Sequence, residues 1–150
     1  MRTSTRIAAA FIALGTAAAG VTVASSGSAA PQHAKAVHTI RLVAHSSTDG
    51  AGTGPRSFVG ADTDRSPRTH KIVGFDAITG TFNQATGKAT IIAAFALKGG
   101  TIEARFQGTA TSFRGRILNG TGRYAGISGT ATATSPTQNS PITHVTLRYS

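Results

Sequence analysis

The stretch Ile117–Thr134, ILNGTGRYAGISGTATAT, decides between two interpretations of this chain's glycines. A short apolar strand runs into a glycine-rich turn that holds one aromatic residue, and a strand of alternating Thr and Ala follows. Residues 120–125, GTGRYA, formally fit a dinucleotide-binding fingerprint, but that site needs a following helix and an acidic residue about 20 positions later. Here a strand follows, and no Asp or Glu occurs after Glu103. The stretch therefore predicts a tight corner between strands, with Tyr124 packed as an aromatic plug.

The rest of the chain also has the periodicity of strands. Lys98-Gly99-Gly100 between two apolar runs is the clearest hairpin signal, and Gly74 and Gly80 indicate bulges or bends within one strand. Ser46–Pro55, Asp64–Thr69 and Ser135–Pro141 have the composition of loops. The predicted strands are Val37–Ala44, Arg56–Asp62, Lys71–Phe82, Ala89–Leu97, Thr101–Gly108, Phe113–Leu118, Ser128–Thr134 and Thr143–Tyr149.

About eight strands at a spacing of ~8–12 residues predict a sandwich or a barrel. Closure into a barrel removes the exposed edges that an antiparallel sheet of this size would otherwise present. We therefore predict an all-β fold, an eight-stranded antiparallel β-barrel over residues 37–150. Eight strands leave an interior that side chains can fill or that can hold one small ligand.

Residues 1–36 have the layout of a signal peptide followed by a disordered segment. Arg2 and Arg6 precede a short apolar run, Ile7–Ala19, and small residues follow, which suit cleavage near Ala29 or Ala36. The apolar run is shorter than the ~20 residues that span a bilayer. We expect an N-terminal signal helix, a secreted, extracellular protein, and no integral membrane span once the signal is removed. The chain has no cysteine, so a disulfide framework is excluded.

The formal net charge of +10 raises the question of nucleic acid. The basic residues are scattered singly, without an aromatic-interleaved stripe, so we expect no nucleic-acid partner; a solvated surface or loose attraction to an anionic cell wall explains the charge better. The five histidines show no metal-ligand spacing, and we expect neither a metal nor a cofactor. A nucleophile elbow, GxSxG, is also absent from the sequence.

Acid–base chemistry depends on the five carboxyl groups of the chain. Asp49 and Asp64 fall in predicted loops, where we expect them to be solvated. Asp62, Asp76 and Glu103 lie on strands or at strand ends, and a carboxyl that points into an apolar barrel would have a raised pKa and could act as an acid. The alternative is that each faces water and pairs with an arginine, as Glu103 and Arg105 could on their shared strand face.

Four segments resemble the superfamily of allene oxide cyclase and dirigent-like barrels, in its small exported bacterial form. The most specific is ILNGTGRYAGISGTATA, residues 117–133, which is similar to the family's strand, Gly-Thr-Gly-x-Tyr turn, Gly, Gly and strand sequence. The other three are SFVGAD at 57–62, KIVGFD at 71–76, and ATIIAAFALKGGTIEARFQG at 89–108.

The resemblance implies an eight-stranded barrel with an apolar lumen and no cofactor, assembled as a homodimer or homotrimer. It also implies catalysis by holding a small, reactive organic molecule in the geometry of ring closure or coupling. Asp62 matches the aspartate that follows the family's SFV-type strand, where dirigent relatives use an acidic residue in the pocket. The sequence departs from the family at Gly60, where an aromatic or large apolar residue is usual, and fold similarity alone does not fix the chemistry.

Two functional hypotheses follow. In the first, the barrel binds a small apolar, phenolic or polyketide-like molecule in its lumen, and if it is an enzyme it is a cofactor-independent cyclase or isomerase. Asp62 and Asp76 are the candidate catalytic residues, and Arg105, Tyr124 and Glu103 are the candidate ligand-binding residues. In the second, the protein is a non-catalytic ligand carrier or a cell-envelope interaction module. A cavity of roughly 300 Å³ or more with one or two buried polar groups would favour the first hypothesis, and a filled interior would favour the second.

Overall fold

The structure, a computed structural model, describes residues 35–150, which form eight β-strands and one short 3₁₀ turn. The predicted signal peptide and N-terminal segment span residues 1–36, of which residues 1–34 lie outside the described part of the chain. The strands are β1 (His38–Ala51), β2 (Ser57–Arg65), β3 (Ile72–Asn83), β4 (Lys88–Leu97), β5 (Gly100–Thr109), β6 (Ser112–Gly120), β7 (Gly129–Thr134) and β8 (Ile142–Tyr149). A single 3₁₀ turn, Gly122–Tyr124, follows β6.

Each strand pairs antiparallel with its neighbour in sequence, and β8 pairs antiparallel with β1, which closes the sheet into a barrel. The predicted eight-stranded antiparallel β-barrel is therefore confirmed. In the closed sheet every strand has a partner on both edges. No row of backbone N–H and C=O groups is therefore left unpaired.

Two strands are longer than their composition indicates. The polar segment after Ala44 continues β1 to Ala51, and β2 continues through Asp64 to Arg65. The two extensions pair with neighbouring strands, from Val43 opposite Arg65 to Ala51 opposite Phe58, with a bulge between Ser46 and Thr48. The prediction of loops beginning at Ser46 and at Asp64 is wrong, because pairing of the backbone outweighs the low strand preference of Ser, Gly and Asp.

One end of the barrel is closed by its own side chains. This plug end carries the 3₁₀ turn, the β2–β3 connection and the β4–β5 turn; the opposite, mouth end carries the other four connections. Tyr124 is 5% exposed, its hydroxyl donates to the Lys98 carbonyl at 3.4 Å, and its ring meets that of Tyr149 edge-on at 6.0 Å. The buried core comprises Leu42, Ala44, Ala93, Phe95, Ile102, Ala104, Phe106, Ile117, Tyr124, Ala131, Ala133, Val145 and Leu147.

The glycines of the 3₁₀ turn fit its close packing. Gly122 has a φ of +58°, and a Cβ placed there would meet the Gly99 carbonyl oxygen. Only glycine combines a left-handed backbone with so close an approach of two chain segments. This confirms that the Gly-Thr-Gly-Arg-Tyr segment forms a corner between strands.

Candidate functional site

The barrel encloses a cavity of about 100 Å³ in its mouth half. Its wall is mostly aliphatic and aromatic, with two carboxyl and two hydroxyl side chains. The lining residues are Ala44, Asp62, Asp76, Ile78, Ile91, Ala93, Phe95, Phe106, Phe113, Ala133, Ser135, Thr143 and Val145. The cavity is smaller than the roughly 300 Å³ that would favour the first hypothesis, although its carboxyl groups meet the second part of that criterion. Its volume is nearer to that of an engineered cavity, about 150 Å³, that binds one benzene ring. It suits one ring or a short chain of a larger molecule.

Strand register brings three aspartates together on the inner face of β2 and β3. Asp62 pairs directly with Asp76 across the ladder, so both side chains leave the same face of the sheet. Asp64 lies two residues beyond Asp62 on that face and pairs with Gly74 of β3. Because Gly74 has no side chain, none at that position separates Asp64 from Asp76. We call Asp62, Asp64 and Asp76 the aspartate triad.

Two members of the triad are almost removed from solvent. Asp64 is 0% exposed and Asp76 is 5% exposed. Neither oxygen of Asp64 has a hydrogen-bond partner, and Oδ1 of Asp76 has none either. A charged carboxylate without a partner is very costly to bury, so such a group holds a proton instead. The triad is therefore a set of acids that resist ionisation.

The pKa values of the triad are raised accordingly. Burial, followed by repulsion from Asp64 and then from Asp62, raises the pKa of Asp76 to about 8. Burial and repulsion from Asp62 raise the pKa of Asp64 to about 6. Neither oxygen of Asp64 is within hydrogen-bond geometry of Asp76. Burial and repulsion between the carboxyls are therefore the main causes of both raised pKa values. At neutral pH, Asp76 therefore presents a protonated carboxyl, a hydrogen-bond donor, to the cavity.

Asp62 lies nearer the mouth than Asp64. Its pKa is also raised, although opposing influences act on it. Burial and the charge of Asp49 raise this pKa, whereas His45 lowers it. Asp49 is exposed on β1, where its carboxylate accepts hydrogen bonds from the Ser46 hydroxyl at 3.1 and 3.2 Å. Its expected solvation is confirmed, although it lies on a strand and not in a loop.

Asp64 was missed as a site residue. It was expected to be solvated in a loop, but it is completely buried on β2. The signal was present in the sequence: Phe58, Gly60, Asp62 and Asp64 have a spacing of two and therefore share one face of a continued strand.

Arg105 and Glu103 lie on the outer face of β5, so the expectation that Arg105 lines the lumen is corrected. Arg105 is exposed, and the Glu103 carboxylate accepts a hydrogen bond from the Asn119 amide at 2.7 Å. The physical reason is alternation: Ile102, Ala104 and Phe106 occupy the inner face of the same strand.

Tyr124 is buried at the plug end and is not among the residues that line the cavity.

Within residues 35–150, no group of three or more His, Asp or Glu side chains is arranged to hold a metal ion. The same part of the chain contains no helix of the length and apolarity needed to cross a membrane.

The fold and the cavity together define a class: small antiparallel barrels that keep an apolar interior with few polar groups. Several solved structures are similar to this chain in fold. A pyocyanin demethylase superposes with a TM-score of 0.65 at 21% identity, covering 75% of this chain and all of the demethylase. A pterocarpan synthase dirigent protein, GePTS1, gives a TM-score of 0.58 at 16% identity over 84% of this chain and 97% of its own.

A third relative in structure is the Diels Alderase AbmU from Streptomyces koyangensis, with a TM-score of 0.59 at 15% identity. The match covers 76% of this chain and 63% of the Diels Alderase. These likenesses confirm the predicted resemblance to dirigent-like and cyclase barrels at the level of fold. No protein-family model matches the sequence, and no curated protein matches it significantly.

Proposed function

We propose that this barrel binds a small, largely apolar organic molecule in its mouth-end cavity and steers its ring closure or isomerisation. The observation that carries the proposal is a carboxyl group, that of Asp76, buried and without a partner at Oδ1 in a wall of aliphatic and aromatic side chains. Structural relatives named as a Diels Alderase, a dirigent protein and a demethylase support an organic ligand, since each acts on a small organic molecule by its name.

The chemistry assigned to the site needs no cofactor. Asp76, protonated at neutral pH, donates a hydrogen bond or a proton to an oxygen or nitrogen of the bound molecule. Asp62, directly across the ladder, accepts the proton that leaves a neighbouring atom. One proton enters and one leaves, so the substrate is isomerised or cyclised without a change of oxidation state. The different surroundings of the two carboxyls separate their roles as acid and base.

The size of the cavity limits which part of a substrate it holds. About 100 Å³ accommodates a single ring, and any further groups extend through the mouth past Asp62 and Asp49. Holding one ring against the acid while the remainder folds back restricts the conformations that precede ring closure, which is how such a site would accelerate it.

The test compares Asp76→Asn with Glu103→Gln, since each removes one carboxylate and only the first alters the cavity. The protein is first purified from its native medium, and mass spectrometry identifies any molecule that is released on denaturation. Turnover of that molecule, or of a panel of phenolic and polyketide substrates, should fall at least ~100-fold in Asp76→Asn and stay unchanged in Glu103→Gln. Equal turnover in the two variants would remove Asp76 from the acid role.

Export is the second part of this proposal. The basic, apolar and small-residue layout of residues 1–36 supports secretion with removal of the signal. Amino-terminal sequencing of protein from culture medium should find a start directly after Ala29 or Ala36. An intact Met1 in protein recovered only from cells would contradict it.

A second candidate function, attachment to an anionic envelope polymer, is favoured by the outer face of β5–β8 and β1. Two ladder rows there consist only of Arg and Thr, and we call this surface the arginine face. All five of its arginines are exposed. One row runs Arg41, Thr146, Thr132, Arg114; the other runs Thr39, Arg148, Thr130, Arg116, Arg105.

Binding to polyphosphate or heparin tests the arginine face. The wild type should bind at low salt and release as ionic strength screens the charges. Arg116→Gln combined with Arg148→Gln should elute at clearly lower salt than the doubly substituted control Lys71→Gln and Lys88→Gln, which removes two charges elsewhere. Identical elution of the two variants would show that only net charge matters.

A further inference from the structure

The acidic side chains of this basic protein are gathered in one place. The chain has a net charge of +10 and only five acidic residues. Three of them form the aspartate triad, and the carboxylate of a fourth, Asp49, lies at the rim: a Cβ built on Gly60 would lie 3.0 Å from both Asp49 Oδ1 and Ile78 Cγ1, and Ile78 lines the cavity. No Lys, Arg or His is among the cavity-lining residues. The interior of the barrel is thus acidic inside a basic exterior.

We infer that the ligand of this cavity carries a cationic nitrogen, as an ammonium group or an N-alkylated heterocycle, on a small apolar ring. The inference rests on the proposed function, because it assumes that the cavity is the binding site, and it specifies the chemical class of the ligand.

The unpartnered oxygens provide an observation independent of the acidic cluster. Asp76 is 5% exposed, it lines the cavity, and its Oδ1 has no hydrogen-bond partner. A neutral hydrocarbon would leave that oxygen unsatisfied, and an anion would be repelled by those carboxyls of the triad that are ionised. A cationic N–H group beside Asp76 donates to that oxygen, and a charge-assisted hydrogen bond of this kind is stronger than a neutral one.

The aromatic part of the wall favours the same ligand. Phe95, Phe106 and Phe113 line the cavity, and the first two rings meet edge-on with centroids 6.4 Å apart. Aromatic faces attract cations within about 6 Å, and the attraction is strongest where water is excluded. An apolar ring with a positive charge therefore matches both the carboxyls and the phenylalanines.

Binding of a cation should be coupled to loss of a proton. The groups that face Asp76 are Asp62 and Asp64 from β2 and the uncharged Phe95 from β4, while Asp49 and His45 of β1 act on Asp62. A cation beside this set favours the ionised form of Asp76, so the complex holds fewer protons than the free protein. The affinity for a cation should therefore increase with pH until Asp76 ionises in the free protein, near pH 8.

Three single-ring probes of similar shape test the charge preference: benzylammonium, benzyl alcohol and benzoate, titrated into the full chain and followed by NMR shifts of the cavity methyl groups at pH 6 and pH 8. We expect benzylammonium to bind at least ~10-fold more tightly than benzyl alcohol at pH 8, and benzoate to bind most weakly. The affinity for benzylammonium should rise at least ~3-fold from pH 6 to pH 8, while the affinity for benzyl alcohol stays constant.

Comparison of Asp76→Asn with Glu103→Gln tests whether the preference for benzylammonium arises at Asp76. Asp76→Asn should abolish the preference for benzylammonium and its pH dependence while still binding benzyl alcohol, and Glu103→Gln should behave as the wild type. If benzyl alcohol binds as tightly as benzylammonium, the charge preference is refuted and the proposed site stands. If none of the probes shifts the cavity methyl groups, the proposed function fails together with this inference. A preference for benzylammonium that persists in Asp76→Asn would also overturn the inference.

Discussion

Asp62 of β2 lies directly opposite Asp76 of β3 in the antiparallel ladder, and both carboxyls point into the barrel. Like charges at directly opposed positions destabilise a sheet, and here a third carboxyl, Asp64, is adjacent. Burying such a group costs stability, and this cost supports the site that we propose.

The first prediction concerns the dependence of stability on pH. The folded pKa values of Asp64 and Asp76 lie at about 6 and about 8, above the ordinary value of 3.8. Between pH 4 and pH 8 the unfolded chain releases protons that the folded chain retains, so the free energy of unfolding falls as pH rises and levels off above about pH 8. Since one pKa unit corresponds to ~1.4 kcal/mol, the rise in the pKa of Asp64 from 3.8 to about 6 alone amounts to roughly 3 kcal/mol, and we expect the coupled pair to lose at least that much.

Urea denaturation at pH 4.5, 6 and 8.5 checks this prediction. Asp76→Asn should flatten the profile and be more stable than the wild type at pH 8.5, while Glu103→Gln should retain the full slope. A wild type that becomes more stable between pH 4.5 and pH 8.5 would contradict it.

The second prediction concerns the cavity itself. Ala133 lines the cavity and is 9% exposed, so Ala133→Leu places three further carbon atoms inside it. Filling a void offsets the strain of added volume, and we expect unfolding free energy within about 1 kcal/mol of the wild type. Binding of single-ring probes should be lost. Ala110→Leu, at an exposed turn, is the control for added apolar surface, and retained binding in Ala133→Leu would place the ligand elsewhere.

The third prediction separates two costs at the corner that follows β6. Gly122 and Gly126 both have a positive φ, +58° and +75°, but a Cβ meets the Gly99 carbonyl only at Gly122 and has open space at Gly126. Gly126→Ala should cost about 1–2 kcal/mol, the strain of a left-handed backbone. Gly122→Ala should cost clearly more, because the backbone must also move. Equal losses in thermal or urea denaturation would show that the close approach is unimportant.

The fourth prediction assigns Tyr124 to packing. Its hydroxyl makes one long hydrogen bond, 3.4 Å to the Lys98 carbonyl, whereas its ring packs in the core. We expect Tyr124→Phe to change stability by less than about 1 kcal/mol and Tyr124→Ala to cost about 3–5 kcal/mol. Neither the affinity for a cavity ligand nor its pH dependence should change in Tyr124→Phe. A loss of binding without a loss of stability would instead give Tyr124 the ligand role expected from the sequence.

The barrel could be predicted because its determinants are local. Alternation along each strand and the turn chemistry of Lys98–Gly100 and Gly120–Ala125 are readable without knowing which strands meet. Asp62 and Asp76 could be placed on strands for the same reason, since both lie within or at the end of clearly alternating segments. Their direct pairing was not predicted, because register across two strands depends on the connection between them.

Three features of the site could not be predicted in this way. Asp64 was assigned to a loop because TDRSP has the composition of one, although pairing with β1 and β3 extends the strand. The inward face of β5 does not follow from its neighbour, because β4 is apolar on both faces around Ile91–Ala94. The cavity volume depends on how side chains from all eight strands fill the interior, which no single segment determines.

The pairing of β1 with β8 also bears on how the chain can be rearranged. Seven of the eight strand pairings join neighbours in sequence, and the eighth sets His38 against Tyr149, with their rings stacked at a centroid distance of 5.4 Å. The two extremities of the barrel therefore meet, and a short flexible linker could join them while the backbone is opened in the polar Asn83–Gly87 turn. In such a circular permutant, β8 and β1 would form a local hairpin. The pairing of β3 with β4 would instead join the two ends of the chain, and any slow folding step that depends on joining distant segments should then depend on that pairing.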